Sequence, residues 1–316
     1  VNKKLVRAGL RLLGPALLVV VLARLDRAAL FETLSHATPW PVVLAVLLNV
    51  VNVHLKVVRW GVLLEVRGIE YPRRRQYGAF MSSLYLGMIT PGRVGDLLRV
   101  QYLRHERGVS YAEGLASVVM DRIADLYVLV VFAALGVVRF GAILAGELAV
   151  VAWISVAATV LGPLVLLIPG LAEAVGERLF RKLPGVEPTG LTTFLTALRA
   201  QARPRVLART VPLTVAAFLV NYGQAFLMAR SLGLTLSYYD AVCLLSIASL
   251  LALLPISVSG VGVRELFFAL AFPVLGYGAE VGIAFGLLFF TVNHLVLILG
   301  GFVSFQLMPP PTAPSE

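Results

Sequence analysis

Apolar runs of bilayer-spanning length recur along this chain of 316 residues, at about 41 to 64, 113 to 138, 141 to 168, 210 to 229 and 280 to 307. Each can cross with some tilt, because about 20 helical residues cover the roughly 30 Å of a hydrocarbon core. A soluble globule is excluded on the same ground. Hydrophobic residues make up 59% of the chain and charged residues 14%, against about 45–50% and 25% in soluble domains, so polar side chains are too few to cover a surface. The expected fold class is an all-α integral membrane protein with about six spanning helices. The remaining span comes first in order, where Lys3, Lys4, Arg7 and Arg11 precede the apolar stretch from Leu12 to Ala23. Val21 and Ala23 resemble residues before a cleavage site, but further spans follow, so this stretch is read as an uncleaved first helix. Cys243 is the single cysteine, which excludes an intramolecular disulfide and a multi-cysteine zinc site.

Two apolar runs are too short to span. Gln76 to Thr90 and Ala241 to Ile256 are each about 15 residues long and end in Pro/Gly-rich segments, Pro91-Gly92-Arg93-Val94-Gly95-Asp96 and Pro255 through Gly260-Val261-Gly262-Val263-Arg264-Glu265. Runs of that length fit re-entrant or broken helical hairpins.

Lys and Arg gather in short cytoplasmic loops, so charge sets the topology. With the N-terminus inside, the first helix exits and the second returns to Arg67, Arg73, Arg74 and Arg75. The first short run dips in and comes back to Arg104 and Arg107. The third and fourth spans lead to a basic loop over about 170 to 209, holding Arg178, Arg181, Lys182, Arg199, Arg203, Arg205 and Arg209. The fifth span exits, the second short run enters and leaves from outside, and the last span brings Met308 back in. Both termini are then cytoplasmic, in the cytoplasmic (inner) membrane. Topology accounts for most of the net charge of +10, and no nucleic-acid partner is expected. Residues 1–308 read as one polytopic membrane domain, and Pro309 to Glu316 as a disordered tail.

In this topology the unit of span, hairpin and span occurs twice, at about 41 to 138 and 210 to 307, entered from opposite sides. That is an inverted repeat. Gly68-Ile69 and Gly233-Leu234, Pro91 and Pro255, and Asp96-Leu97 and Glu265-Leu266 are its weak identities. Broken helices at matching positions of inverted halves point to a transporter's substrate site, since non-helical backbone at membrane depth survives only where it lines a cavity or packs in protein.

The chemistry-bearing residues gather at these breaks. Pro91, Gly92 and Gly95 make the first hinge, and Arg93, Asp96 and Arg99 put charge beside it; Asp96, three residues from each Arg, is placed to fix one. Free amides at the start of the following half-helix favour an anion that Arg93 can hold. The alternative is a turn whose arginines meet lipid headgroups. Pro255, Gly260 and Gly262 make the second hinge, with hydroxyls at Ser257 and Ser259. Arg264 and Glu265 point to different sides of a helix and are expected to pair with other elements, as a binding pair or as a structural ion pair. Asp121 and Asp125 share a face of the third span with Arg122 about 100° away, functional at membrane depth and interfacial if the helix starts late. Asn49, Asn52, Lys56 and Arg59 form a polar stripe, with Asn221 and Gln224 on the corresponding span and Asn293 with His294 interrupting the last. These amides serve as cavity lining or as interhelical glue. His294 has no second His or Cys at metal-ligand spacing, so neither metal nor cofactor is expected.

The order and spacing of Pro91-Gly92-Arg93-Val94-Gly95-Asp96-Leu97-Leu98-Arg99, Asp121-Arg122-Ile123-Ala124-Asp125 and Pro255 through Glu265 resemble the flippase-like transmembrane region of lysylphosphatidylglycerol synthases and its stand-alone relatives. The resemblance implies movement of polar-headgroup lipids between leaflets, with Arg93, Asp96, Arg264 and Glu265 as its functional charges. That family usually carries Glu where this chain has Asp96 and Asp121. No soluble aminoacyl-transferase domain is expected, so the chain is not expected to be the synthase itself.

The expected function is a lipid translocase, not an enzyme, acting on phospholipids or glycolipids with anionic or zwitterionic headgroups beside a lipid-synthesising enzyme partner. The oligomeric state stays open. No Walker-type loop is present, so any drive comes from an ion, a lipid gradient or a partner. Two alternatives stand beside it: a membrane-embedded transferase acting on a lipid or prenyl diphosphate, with Asp121 and Asp125 holding Mg2+, and a non-transporting scaffold subunit.

Overall fold

The computed structural model describes residues 27–140, 188–253 and 260–310, with positions 157, 161, 168 and 170 standing alone between them. These residues form helices and turns, without a strand among them. In chain order the helices are α1 Arg27–Ser35, α2 Pro39–Glu65, α3 Arg73–Ile89, α4 Leu98–Arg107, α5 Tyr111–Phe140, α6 Pro188–Gln201, α7 Pro204–Ser231, α8 Tyr238–Leu251, α9 Val263–Val274, α10 Ala279–Phe290 and α11 Val296–Leu307. A 3-10 turn, Pro91–Leu97, joins α3 to α4, and a π turn, Thr291–Leu295, joins α10 to α11.

Among the described residues, four helices are long and apolar enough to cross a membrane: α2, α5, α7 and the continuous Ala279–Leu307. The first helix expected at 12 to 23, nearly all of the span at 141 to 168, and the tail from residue 311 fall outside the described residues. The two short runs are helices α3 and α8, of 17 and 14 residues, and each gives way to a break and a second short helix. Ser237 and Asp240 start α8 with a reciprocal cap: the serine hydroxyl accepts the Asp240 N–H at 3.1 Å, and the carboxylate accepts the Ser237 N–H at 3.2 Å.

One expectation needs correction. The basic segment from 170 to 209 is not a loop throughout, because 188 to 201 is helical and α7 begins at Pro204 rather than at 210. Leu191, Phe194, Leu195 and Leu198 lie at i, i+3, i+4 and i+7, which is an apolar helix face, and they bury it on Ala116, Met120 and Ile123 of α5. Basic composition hid this amphipathic pattern. Pro204 fits the first turn of α7, where its missing N–H leaves no bond unmade.

Helices α2 and α7 form the most extensive pairing of the bundle, and they run antiparallel. The Thr38 N–H donates to the Ser231 carbonyl at 2.8 Å at one end, and Arg209 meets Glu65 at 2.7 Å at the other. Between them two bonds are reciprocal: Asn52 Nδ2 donates to the Ala217 carbonyl and Gln224 Nε2 to the Ala45 carbonyl, both at 2.7 Å. Asn52 follows Ala45 by the same step along α2 as Gln224 follows Ala217 along α7. Exchanging the two helices therefore reproduces the contact.

The outer packing exchanges in the same way. Helix α11 packs on α3, and α5 packs on α8. In each pair a glycine lets two backbones close: a Cβ on Gly136 of α5 would lie 2.7 Å from the Cys243 carbonyl oxygen of α8, and one on Gly301 of α11 would lie 2.7 Å from the Met81 carbonyl oxygen of α3. Small residues supply the close approach that holds helices together where apolar burial gives no advantage over lipid. Gly136→Ala and Gly301→Ala are each expected to lower the thermal midpoint of the purified protein, although alanine favours helix by about 1 kcal/mol over glycine. Gly223→Ala is the control, since a Cβ there meets nothing within 4 Å, and its midpoint should hold or rise. Equal midpoints for all three variants would show that these contacts do not limit stability.

Candidate functional site

The first break is built by Thr90 and Gly95. The Thr90 hydroxyl donates to the Leu86 carbonyl at 2.6 Å and accepts the Gly95 N–H at 3.0 Å, folding the turn back onto the end of α3. Only glycine fits at Gly95, because a Cβ would lie 2.2 Å from the Leu86 carbonyl carbon and 2.3 Å from the Gly87 nitrogen. Pro91 and Gly92 lie at the start of this turn. Arg93 within it is the one non-glycine residue with positive φ among the described residues, at 55°. Such a strained backbone persists where the surroundings dictate it, often at functional sites.

Below the turn lies a buried charge network. Arg59 of α2 is fully buried and forks between two carboxylates of α5: Nε to Asp121 at 2.8 Å and Nη1 to Asp125 at 2.6 Å. Its Nη1 also donates to the Thr214 hydroxyl of α7 at 2.9 Å, so one guanidinium ties three helices together. Arg99 of α4 reaches Asp121 at 3.1 Å and sits over the rings of Trp60 and Phe80, at 5.2 and 4.9 Å. Arg122 contacts Asp121 and Asp125 at 3.3 Å each and Asp96 at 3.5 Å. Helix α5 starts at Tyr111, well before Asp121, so these carboxylates lie inside the bundle. Lys56, one turn before Arg59, lies within electrostatic reach of Asp125.

Three sequence expectations change here. Asp96 faces Arg122 rather than Arg93 or Arg99, because the 3-10 turn aims its side chain at α5. Arg122, set off from the aspartate face by about 100°, still reaches both aspartates, since its side chain is long enough to bend across the face. Arg59 stood in the polar stripe but was not singled out as a site residue, and it is the hub. Its partners lie 62 and 66 residues away. The one local signal was an arginine inside an apolar run, which must find a counter-charge.

The second break is described from Gly260 onward; Pro255, Ser257 and Ser259 lie outside the described residues. Gly260 and Gly262 have φ of 76° and 86°, the left-handed region glycine enters freely. Glu265 accepts the Gly262 N–H at 2.6 Å, capping α9. Arg264 is 4% exposed. Its nearest carboxylate is the neighbouring Glu265, at 3.7 Å, rather than one on another element, and the guanidinium packs over Phe289 at 5.1 Å. Arg264 Nε and Nη2 have no hydrogen-bond partner among the described residues.

Just beyond Phe289 comes the π turn that interrupts the last span. Asn49 donates to the Val292 carbonyl at 2.9 Å, and Asn221 donates to Asn293 Oδ1 at 2.9 Å. Asn49, Asn52 and Gln224 thus act as interhelical glue. Asn293 differs, because its oxygen is taken while the buried Nδ2 has no acceptor among the described residues, and His294 Nδ1 likewise has no partner among them. His294 stacks on Phe290 at 5.3 Å and lies within electrostatic reach of Arg264, Arg93 and Lys56. Among the described residues, the unmet buried groups at the breaks and the π turn are the donors of Arg264 and Asn293, the His294 Nδ1 and the carboxylate oxygen Asp96 Oδ2.

The comparisons agree in direction with the resemblance drawn from the motifs. The model of the lysylphosphatidylglycerol synthase TM region matches residues 8–301. The chain is also similar to Glycosyltransferase AglD of Haloferax volcanii, with 26% identity over 333 aligned residues that take in 93% of this chain and 53% of AglD. The chain spans about half the length of that relative. With the family match running through both breaks and into the last candidate span, this chain is a membrane protein belonging to the family of the lysylphosphatidylglycerol synthase transmembrane region.

Proposed function

We propose that this protein is a lipid translocase, moving a phospholipid or glycolipid headgroup between leaflets through the region between its two breaks. The observation that carries the reading is Arg264: a buried guanidinium whose Nε and Nη2 have no hydrogen-bond partner among the described residues, beside a helix break in a bundle of helices long enough to span a membrane. Unmet donors on a buried ion are costly, and a charged residue inside a membrane bundle is read first as functional. The two halves, about 41–138 and 210–307, form an inverted repeat in this proposal, supported by the antiparallel α2/α7 pair and its reciprocal amide bonds. The basic loops face the cytoplasm and the protein works in the cytoplasmic membrane, beside an enzyme that makes its lipid.

In this mechanism Arg93 and Arg264 take the headgroup phosphate while acyl chains remain in lipid. Asp96, Asp121 and Asp125 hold Arg122, Arg59 and Arg99 as a fixed charged wall, and Glu265 holds the turn that presents Arg264. The halves rock about α2 and α7 to expose the site to each side in turn.

Headgroup accessibility of a labelled anionic phospholipid in proteoliposomes tests the proposal. The wild-type protein is expected to transfer label, and Arg93→Ala and Arg264→Ala to lose most of that transfer at matched protein density. Absence of transfer by the wild type across several lipid classes, with and without a proton gradient, would overturn it. The name of the relative AglD favours a second reading, a membrane-embedded transferase using Asp121 and Asp125 to hold Mg2+. Against it, both carboxylates are already engaged by guanidinium groups. A Mg2+ requirement for glycosyl or prenyl transfer by the purified chain would favour the transferase.

A further inference from the structure

Where the last span ends, a groove opens between it and α3. Among the described residues it is lined by Arg74 of α3 and by Gly300, Val303, Ser304, Leu307 and Met308 at the end of α11, and it holds about 420 Å³, a size typical of small-ligand sites. The two helices run antiparallel here. Ser304 Oγ donates to the Gly78 carbonyl at 3.2 Å, while Gly301, earlier on α11, approaches Met81 and Tyr85, further along α3. Gly78 packs on the Met308 side chain, so Arg74, one turn before Gly78, stands at the mouth of the groove. Gly300 comes seven residues before Leu307, which puts it roughly 10 Å deeper along the helix axis. Gly300, Val303 and Leu307 lie at i, i+3 and i+7, one face of α11, and all three are exposed. The groove therefore has a cationic mouth and an apolar wall leading inward.

The three consecutive arginines that open α3 are not equivalent. Arg73 Nη1 donates to Gln76 at 3.0 Å, and Arg75 lies 3.7 Å from Glu106. The Arg74 guanidinium makes no hydrogen bond or ion pair among the described residues, and no carboxylate lines the groove. Helix α11 closes the last candidate span, Ala279–Leu307, so its end reaches the boundary of the hydrocarbon layer. A cation at that level, above an apolar wall, complements an amphiphile whose phosphate stays at the boundary while its chain runs into the membrane.

We propose that this groove holds a phospholipid of net negative charge, with its phosphate on Arg74 and an acyl chain along Val303 and Gly300. The guanidinium fork matches the phosphate oxygens. A zwitterionic lipid offers the same phosphate but brings its own cation, so the preference is graded: one basic residue at the membrane surface favours an anionic lipid by about fivefold. This lipid is resident rather than cargo. Arg74 and the first break lie at opposite ends of α3, roughly 24 Å apart over the 16 residues from Arg74 to Thr90, and the proposal does not rest on the translocase reading.

The test is photo-crosslinking of the full chain in phosphatidylcholine nanodiscs, with a tracer of phosphatidylglycerol or of phosphatidylcholine carrying a photoreactive group in one acyl chain, and mass spectrometry of the labelled peptides. Peptides covering residues 300–308 are expected to take up the phosphatidylglycerol tracer about fivefold more than the phosphatidylcholine tracer. The exposed face of α2 at Val43, Leu47 and Val50 is the internal reference for bulk lipid and should show no preference. Arg74→Gln should bring the groove down to that reference, and Arg74→Lys should keep most of the preference. Gly300→Leu should lower labelling by both tracers by filling the groove. Its first added carbon meets only Met81 Cε, at 3.3 Å, the end of a flexible side chain, so the helix pair is not forced apart. A groove that matches α2 in the wild type would be wetted by ordinary bulk lipid, and a preference that survives Arg74→Gln would be set by another cation; either result would overturn the proposal. An unlabelled groove in a dimer that Gly300→Leu splits would assign this face to a second copy of the chain and overturn it as well.

Discussion

Replacing Arg59 by methionine is expected to destabilise this protein by about 3 to 5 kcal/mol, the range for removing one member of a buried ion pair. The magnitude follows from what is left behind rather than from what is lost. Arg59 has no solvent exposure, Asp121 has none, and the forked guanidinium holds both Asp121 and Asp125 at hydrogen-bond distance. Without it, Asp125 keeps Arg122 at 3.3 Å with Lys56 at longer range, and Asp121 keeps Arg99 and Arg122 at 3.1 and 3.3 Å. Water cannot reach Asp121 to replace the missing cation, although Asp125 is partly exposed. Arg59→Lys should fall between the two, because an ammonium cannot fork between two carboxylates and Thr214. The double variant Arg59→Met with Asp125→Asn should recover part of the loss by removing one orphaned charge, which is the sign of a coupled pair. Thermal unfolding in detergent, followed by retention of monodisperse protein, checks all three. A midpoint for Arg59→Met equal to wild type would show that the network contributes little to the fold.

The second large effect is expected at Gly95→Val. Most oversized side chains in a core find relief by turning a neighbouring side chain, at about 1 to 3 kcal/mol. Here the obstruction is backbone, with the Leu86 carbonyl carbon and the Gly87 nitrogen at 2.2 and 2.3 Å from the new Cβ, so the 3-10 turn itself must lift from α3. Lifting it breaks the Thr90 bond to the Gly95 N–H and carries Asp96 away from Arg122. It also moves Arg93 off the site. We expect the helical content by circular dichroism to persist, since the long helices make their own backbone bonds, while headgroup transfer falls by about tenfold or more, equivalent to about 1.4 kcal/mol or more in barrier. Unchanged transfer by a folded Gly95→Val variant would dissociate the first break from transport.

The sequence made some of this legible and hid the rest for identifiable reasons. Apolar run length located α2, α5 and the last span to within a few residues, and the end but not the start of α7, because crossing hydrocarbon demands a minimum stretch and charge interrupts it. The breaks at Pro91 and at Gly260 with Gly262 were legible because proline and glycine act locally. Helix α6 was missed because basic composition drew attention away from its i, i+3, i+4, i+7 face. The charge pairing was only half legible. Spacing placed Asp121 and Asp125 on one face and required a cation for them, but the chain offers several arginines and spacing does not choose among them.

By itself, then, the sequence determined that this chain is helical and membrane-embedded, where its helices break, and which residues carry charge into an apolar setting. Those properties follow from backbone hydrogen bonding and desolvation, which act on each segment alone. Only the tertiary structure decided that Arg59 of α2 bridges Asp121 and Asp125. It also decided that Asp96 answers to Arg122 and that Arg264 keeps donors without a partner among the described residues. The physical reason is that a buried charge requires a partner without specifying one. The choice is made by which helices approach closely enough, and glycines such as Gly136 and Gly301 set that approach through contacts more than one hundred residues apart in the chain.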